Sequence, residues 1–164
     1  MLKYRILCVG KVKESFYRDQ IQEYLDAIRK YHPIQIIEVD DEKTKEDLSE
    51  AERAKILDVE GDRILRVLAA DHKDYIVPLC IDGKPYDTEK WSKRIRSLSE
   101  TEEYEQITYI IGGSLGLSDK VIRRGNQSIS YSRLTFPHQL IRVILLEQIL
   151  ICGQADQTGT APYL

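Results

Sequence analysis

The segment from Tyr131 to Gln148 constrains the fold more than any other part of this chain. It starts at the end of a short strand pattern, passes through a polar loop and reaches Pro137, after which a helical pattern begins. Proline fits the first turn of a helix, because the N–H that it lacks would have no helical partner there. The segment therefore predicts a strand end, a loop and a helix in this order.

The predicted helix is apolar on almost every side. A helix with one apolar stripe covers its own sheet, whereas a helix with several apolar sides needs a second surface. Its apolar residues are Leu140, Ile141, Val143, Ile144, Leu145, Leu146, Ile149 and Leu150. We therefore predict that this helix forms both a subunit contact and one wall of a functional site.

Two polar residues, His138 and Arg142, lie one turn apart on the same face of this apolar helix. A helix N-terminus disfavours a protonated imidazole, and an arginine in apolar surroundings needs a partner or a ligand. Two roles are possible for His138, namely a direct role in the site and packing at a subunit contact. Arg142 is open to a ligand contact or to an ion pair with an acidic side chain across the interface.

Strand and helix patterns alternate along the rest of the chain. They predict strands over 3–9, 34–39, 75–81, 106–111 and 128–131, and helices over 14–30, 49–68, 87–99 and 119–124. Ser49 and Glu52 have the spacing of a capping box, and Pro78 predicts a bulge or a sheet edge. Gly153 and the polar residues 154–160 predict an early end to the last helix. The order predicts an α/β fold in three layers, with a mostly parallel sheet, as a single domain over 1–164.

Composition narrows the classes of function. The 164 residues carry a net charge of −3, which argues against a free-standing binder of naked DNA or RNA. Three cysteines lie far apart without zinc-ligand spacing, so we predict reduced thiols, no metal site and a cytoplasmic location. A strand pattern begins at residue 3 and no apolar run reaches membrane-spanning length, so we expect neither a signal peptide nor a membrane partner.

Ligands of open parallel sheets bind beyond the carboxyl ends of the strands. Three turns qualify, those after Leu79, Ile111 and Tyr131. The glycine turn over 112–116 permits close approach of the backbone to a ligand, or it is simply a tight turn between a strand and a helix. It lacks the G-K-[ST] of a phosphate loop, and Gly10 alone after the first strand does not make a dinucleotide fingerprint. An oxidoreductase that uses a dinucleotide is therefore disfavoured.

Basic residues surround these turns. Arg123, Arg124 and Arg133 predict a local positive patch, which Lys11 and Lys13 extend, or they belong to an ordinary solvated surface. The residue pattern by itself predicts a small-ligand site at a dimer interface, and this site faces an anion.

Five segments also carry a resemblance to a known family, and they read LCVGKVKE, EGDRIL, LCIDGK, IIGGSLGLS and SYSRLTFPHQLIRVILLEQ. The last segment is the specific one, because a glycine turn alone occurs in many folds. On these segments, which lie within 1–148, the chain resembles the RlmH family of SPOUT-class methyltransferases, which act on pseudouridine in 23S ribosomal RNA. The resemblance implies a Rossmann-like fold with a C-terminal trefoil knot, a homodimer and S-adenosylmethionine as cofactor. The cofactor residues that it implies are Leu79, Gly112, Tyr131, Ser132, Arg133, Leu134, Thr135 and Phe136.

The implied reaction is methyl transfer to N3 of a pseudouridine in the helix 69 stem-loop of 23S rRNA, on the assembled 70S ribosome. N3 must lose its proton to attack, so the reaction needs a proton acceptor or a group that stabilises charge on the uracil oxygens. We assign charge stabilisation to Arg142, and we assign positioning of the loop or relay of the proton to His138.

The end of the chain departs from the family. Members usually finish in Arg-Gly-Glu-Pro-Tyr-His and a basic residue, whereas residues 149–164 here read ILICGQADQTGTAPYL. Only Pro162 and Tyr163 match that ending, and Leu164 replaces the histidine. The alternative function is therefore a dimer that binds the cofactor or the ribosome and whose tail impairs turnover.

Overall fold

The computed structural model describes residues 1–69 and 73–158. Strands and helices alternate in the predicted order, and four of the predicted ranges, 3–9, 34–39, 106–111 and 119–124, are confirmed to the residue. The strands are β1 Lys3–Val9, β2 Ile34–Val39, β3 Asp74–Pro85, β4 Gln106–Ile111 and β5 Ile129–Ser130. The helices are α1 Ser15–Ile28, α2 Glu50–Leu68, α3 Thr88–Glu100, α4 Asp119–Arg124 and α5 His138–Thr158.

The strands form one sheet in the order β2-β1-β4-β3-β5, and every ladder between them is parallel. Because side chains alternate across a strand, Ile6 and Leu7 of β1 point to opposite faces. Ile6 packs in a core with α1, α3 and α5, whereas Leu7 packs in a second core with α2 and α4. The predicted α/β fold, with helices on both faces of a parallel sheet, is therefore confirmed.

Pro78 lies where β3 loses regular pairing. The N–H of Ile76 donates to Asn126 Oδ1 at 2.8 Å, so the amides of alternate residues along β3 face the segment that leads into β5. The N–H that Pro78 lacks falls on this side, where the register with β5 shifts between Leu79 and Lys84. The irregularity predicted from the proline is confirmed.

Two helix starts follow their predicted signals. Ser49 Oγ accepts from the N–H of Glu52 at 3.1 Å, and Glu52 Oε1 accepts from the N–H of Ser49 at 3.3 Å, which confirms the capping box. Pro137 lies just before α5 rather than inside its first turn, and its carbonyl accepts from the N–H of Ile141 at 3.1 Å.

The predicted early end of the last helix is wrong, because α5 continues through Gly153 to Thr158. A Cβ added at Gly153 would lie 3.1 Å from Cβ of Tyr31, so the glycine lets α5 approach this side chain closely. Cys152 and Ala155 on either side of it are buried. This packing outweighs the roughly 1 kcal/mol that glycine costs inside a helix. The tail residues 159–164, with Pro162, Tyr163 and Leu164, lie outside the described residues.

We predict that Ala155→Leu lowers the free energy of unfolding by about 1–3 kcal/mol, because Ala155 is 3% exposed and a larger side chain overpacks the site. Alanine and leucine have similar helix propensities, so propensity contributes little to the difference. Urea unfolding followed by circular dichroism measures the change. Ala54→Leu on the exposed side of α2 is the matched control. Equal stabilities for the two variants would contradict the packing of α5 beyond Gly153.

Candidate functional site at the carboxyl edge of the sheet

Three neighbouring strands, β4, β3 and β5, are parallel, so their carboxyl ends meet at one edge of the sheet. The turns after Ile111 and Tyr131 start at this edge, and Leu79 pairs with Ile129 there. Leu79 is half-buried against the core that contains α5. The turns after Ile111 and Tyr131 therefore lie side by side, although they are distant along the chain. The predicted turn after Leu79 is wrong, because β3 continues to Pro85; Leu79 lies within β3, at the register shift with β5, and still meets the same edge.

The turn over 112–116 needs glycine at two positions. A Cβ added at Gly112 would lie 2.5 Å from the carbonyl carbon of Gly116, which leaves no room for a side chain. Gly116 has φ +83°, a conformation that L side chains rarely adopt. The N–H of Gly116 donates to the carbonyl of Gly113 at 3.1 Å and closes the turn. The turn is therefore compact, with backbone exposed toward the carboxyl edge.

The loop after β5 is held by its own serines. Ser130 Oγ donates to the carbonyl of Ser132 at 3.1 Å, and Ser132 Oγ accepts from the N–H of Leu134 at 2.9 Å. Leu134 is 70% exposed, Arg133 and Thr135 are also exposed, and Phe136 is half-buried. The loop thus presents both apolar and polar side chains at the edge of the sheet.

Tyr131 starts the loop at the same edge, but its side chain packs against the core and its hydroxyl lies near Cys152. Its hydroxyl oxygen is inaccessible to solvent and has no hydrogen-bond partner among the described residues. Burial raises the pKa of this phenol well above its usual value, so the hydroxyl stays neutral.

Arg142 is 1% exposed, and its guanidinium links α5 to the carboxyl ends of β1 and β2. Its Nη1 lies 2.6 Å from Glu38 Oε2 on β2, and its Nη2 donates to the carbonyl of Gly10 after β1 at 2.8 Å. Nε of Arg142 is buried and has no partner among the described residues. Arg142 therefore has an acidic partner, but within the same chain and not across a subunit interface, as one of the two sequence-based alternatives had it.

His138, one turn earlier, is half-buried beside the loop that follows β1. Its pKa is lowered by burial and then by the charge of Arg142, against a smaller upward effect of Asp41. The imidazole is therefore neutral near pH 7. The next residue, Gln139, accepts through Oε1 from the N–H of Lys13 at 3.3 Å. The start of α5 thus touches the loop after β1.

Glu60 was not singled out in the sequence, yet it lies buried under the glycine turn. Its Oε2 accepts from the N–H of Glu42 at 2.9 Å, whereas Oε1 has no partner among the described residues. A Cβ added at Gly113 would lie 3.4 Å from Oε1, and burial raises the pKa of this carboxyl. The sequence did carry a signal for Glu60. It lies four residues before Ile64 and eight before Leu68, so it is a charged residue within the apolar stripe of α2.

The sequence predicted one basic patch, but its five residues lie in two separate places. Arg123 and Arg124 end α4 and precede β5, so they lie toward the amino end of that strand. Arg133, Lys11 and Lys13 follow strands and lie at the carboxyl edge. All five side chains of this group are exposed.

In residues 1–69 and 73–158, no helix combines the length and the apolar character needed to cross a membrane. The three cysteines, Cys8, Cys80 and Cys152, are free thiols.

Two solved structures share this fold at low sequence identity. A probable methyltransferase from Bordetella pertussis Tohama I superposes with a TM-score of 0.57 over 93% of this chain and 95% of its own, at 15% identity. A probable methylase family protein from Haemophilus influenzae Rd KW20 superposes with a TM-score of 0.54 over 96% of this chain and 70% of its own, at 11% identity. At these identities the likeness supports the fold alone.

Sequence comparison is more specific. The model of the family described as predicted SPOUT methyltransferase matches residues 2–151. The ribosomal RNA large subunit methyltransferase H of Lacticaseibacillus casei (strain BL23) is 46% identical over 148 residues, which cover 90% of this chain and 91% of that protein. The protein of the same name from Streptococcus thermophilus (strain CNRZ 1066) is 45% identical over the same lengths. This chain therefore belongs to the SPOUT methyltransferase family and, within it, to the RlmH group.

Proposed function

We propose that this protein transfers a methyl group from S-adenosylmethionine to N3 of a pseudouridine in the helix 69 stem-loop of 23S rRNA, on the assembled ribosome. The observation that carries the proposal is the meeting of Leu79 in β3 with the turns after β4 and β5 at one sheet edge, in a chain of the RlmH group. A location in the cytoplasm, where ribosomes are, belongs to the same proposal, as does the trefoil knot that the resemblance implies.

The cofactor pocket in this proposal consists of Leu79 in β3 and the turns after β4 and β5. The apolar side chain of Leu79, the close backbone of Gly112 and the loop from Tyr131 to Phe136 would hold S-adenosylmethionine. The exposed apolar side chain of Leu134 and the exposed polar side chains of Arg133 and Thr135 support this, because the cofactor has both polar and apolar parts. When bound, the cofactor supplies an electrophilic methyl group, and the protein supplies proximity and orientation.

Arg142 and His138 act on the acceptor base in this proposal. As N3 attacks the methyl carbon and the bond from that carbon to sulfur breaks, the N3 proton must leave. The neutral imidazole of His138 is able to accept or relay this proton. The buried guanidinium of Arg142, whose Nε has no partner in the described parts of the chain, stabilises negative charge that develops on the uracil oxygens. Because Glu38 already pairs with Arg142, the ion pair also positions the guanidinium.

A homodimer is part of the proposal, and α5 supports it. Its inner residues Leu145, Leu146 and Ile149 are buried in the core of the chain. Five further apolar residues of α5 remain only half-buried in the single chain, namely Leu140, Ile141, Val143, Ile144 and Leu150. A second copy covering this face would complete their burial.

The second candidate function is a non-catalytic dimer that binds the cofactor or the ribosome. The observation that favours it is the ending of residues 149–164, which differs from that of the family. Both candidates keep the fold and the cofactor turns, so only turnover separates them.

We expect the purified protein to bind S-adenosylmethionine in calorimetry and to incorporate labelled methyl groups into 23S rRNA of 70S ribosomes. Gly112→Ala should weaken cofactor binding at least tenfold, because the added Cβ collides with Gly116, whereas Ser114→Ala in the same turn should not. A variant with the family ending grafted after Gln148 is the control for turnover. Binding without turnover, restored by the graft, would favour the second function, and absence of cofactor binding would exclude both.

Arg142→Ala should lower kcat about 100-fold while it changes cofactor affinity less than about threefold, because the charge that it stabilises develops only during transfer. Arg142→Lys keeps a charge beside Glu38 and serves as the variant that folds if the alanine variant does not. Single-turnover methylation and calorimetry separate the two effects. Equal losses of turnover and cofactor affinity in both variants would contradict this role.

His138 predicts the pH dependence of the reaction. Since burial and Arg142 lower its pKa, the neutral form should persist below pH 6.5, and kcat/KM should fall only at more acidic pH. His138→Gln should lower the plateau and remove this fall, whereas His32→Gln, in the turn between α1 and β2 and next to Leu2, should leave the profile unchanged. If kcat/KM of His138→Gln falls at the same midpoint pH as that of the parent protein, another group is responsible for the fall.

A further inference from the structure

The loop after β1 and the first turn of α1 expose an aromatic side chain. Phe16 is 63% exposed, and its ring lies against that of Tyr17 with centroids 4.4 Å apart. Among the described residues, the exposed large apolar side chains are Met1, Phe16, Ile81 and Leu134, of which Phe16 is the aromatic one. An exposed ring held by a second ring offers a flat face to a partner.

Basic side chains flank this ring. Residues 11–18 contain Lys11, Lys13 and Arg18 against a single acid, Glu14. Both lysines are exposed, and neither ammonium group makes an ion pair within the described parts of the chain. The segment is therefore locally positive in a protein whose net charge is −3.

The segment is also held in place next to the candidate site. Arg18 Nη1 donates to the carbonyls of Lys13 at 2.9 Å and Val12 at 3.4 Å, so it fixes the loop in front of α1. The N–H of Lys13 donates to Gln139 at the start of α5. The charge of Lys13 lowers the pKa of His138, as expected for close neighbours. Because β1 adjoins β4, the segment follows the strand next to the glycine turn.

We propose that residues 11–18 form a stacking platform for the RNA substrate, on which an unpaired base lies against Phe16 while Lys11 and Lys13 contact the flanking phosphates. The inference rests on the proposed function and names the surface that receives the RNA. Aromatic stacking with lysine contacts to phosphate is how proteins hold single-stranded RNA, and unpaired loop bases are the ones free to stack. The two lysines supply local positive charge in a protein whose net charge is −3.

The test uses the full-length protein and a fluorescein-labelled RNA with the sequence of the helix 69 stem-loop. Phe16→Ala should weaken RNA binding about tenfold in fluorescence anisotropy, the size expected for loss of one stacked base. Phe16→Trp should restore it. Ile81→Ala, which shortens another exposed apolar side chain, is the matched control and should bind like the parent. Calorimetry should give the same S-adenosylmethionine affinity for all four proteins.

The lysines have a separate readout. Lys11→Ala combined with Lys13→Ala should reduce the slope of log affinity against log salt by about 1.4, because each phosphate that a lysine neutralises on a single strand adds about 0.7 to that slope. Lys55→Ala, at an exposed position of α2, should leave the slope unchanged.

Three results would overturn the platform: equal RNA affinity for Phe16→Ala and Ile81→Ala, no RNA binding by the parent protein, or conversion of Phe16→Ala to a different oligomer in sedimentation. The last result would show that a second copy covers the ring. RNA binding that depends on Phe16, without methyl transfer by the parent protein, would support the platform and contradict the proposed function. The two failures are therefore distinguishable.

Discussion

The ion pair between the buried guanidinium of Arg142 and the partly exposed Glu38 joins the last helix to the sheet. A guanidinium inside the protein is tolerated only when its charge is paired and its donors have acceptors. Glu38 supplies the charge and the Gly10 carbonyl supplies a further acceptor, each from a different strand. Because both lie at carboxyl ends of parallel strands, they hold the first turns of α5 at the edge where His138 and Gln139 meet the loop after β1.

This arrangement divides the carboxyl edge of the sheet into two regions with β4 between them. On one side lie Leu79 of β3 and the loop after β5, which we propose for the cofactor. On the other side, β1 and β2 end near Arg142, His138 and the aromatic and basic segment over 11–18. The glycine turn after β4 adjoins both regions, and Glu60 lies beneath it with one carboxylate oxygen that no described residue contacts by a hydrogen bond.

Local signals predicted the elements well where one interaction decides the outcome. The capping box of Ser49 and Glu52 and the irregularity at Pro78 depend on neighbouring backbone groups, and both are present as predicted. The prediction that α5 ends near Gly153 was wrong, because the low helix propensity of glycine is a weak local preference. Packing of α5 against Tyr31 overrides it. Glu60 went unnoticed because its burial depends on Glu42 and Gly113, which lie elsewhere in the chain.

The sequence by itself determined the alternation of strands and helices, the position of the glycine turn and membership of a family, since apolar periodicity and contiguous motifs are local properties of the chain. Only the tertiary structure decided that Arg142 pairs with Glu38, 104 residues away, that α5 extends to Thr158, and that Lys13 lies beside the start of α5. Ion pairing and packing are short-range in space, and no spacing along the chain records which distant residues the parallel sheet brings together.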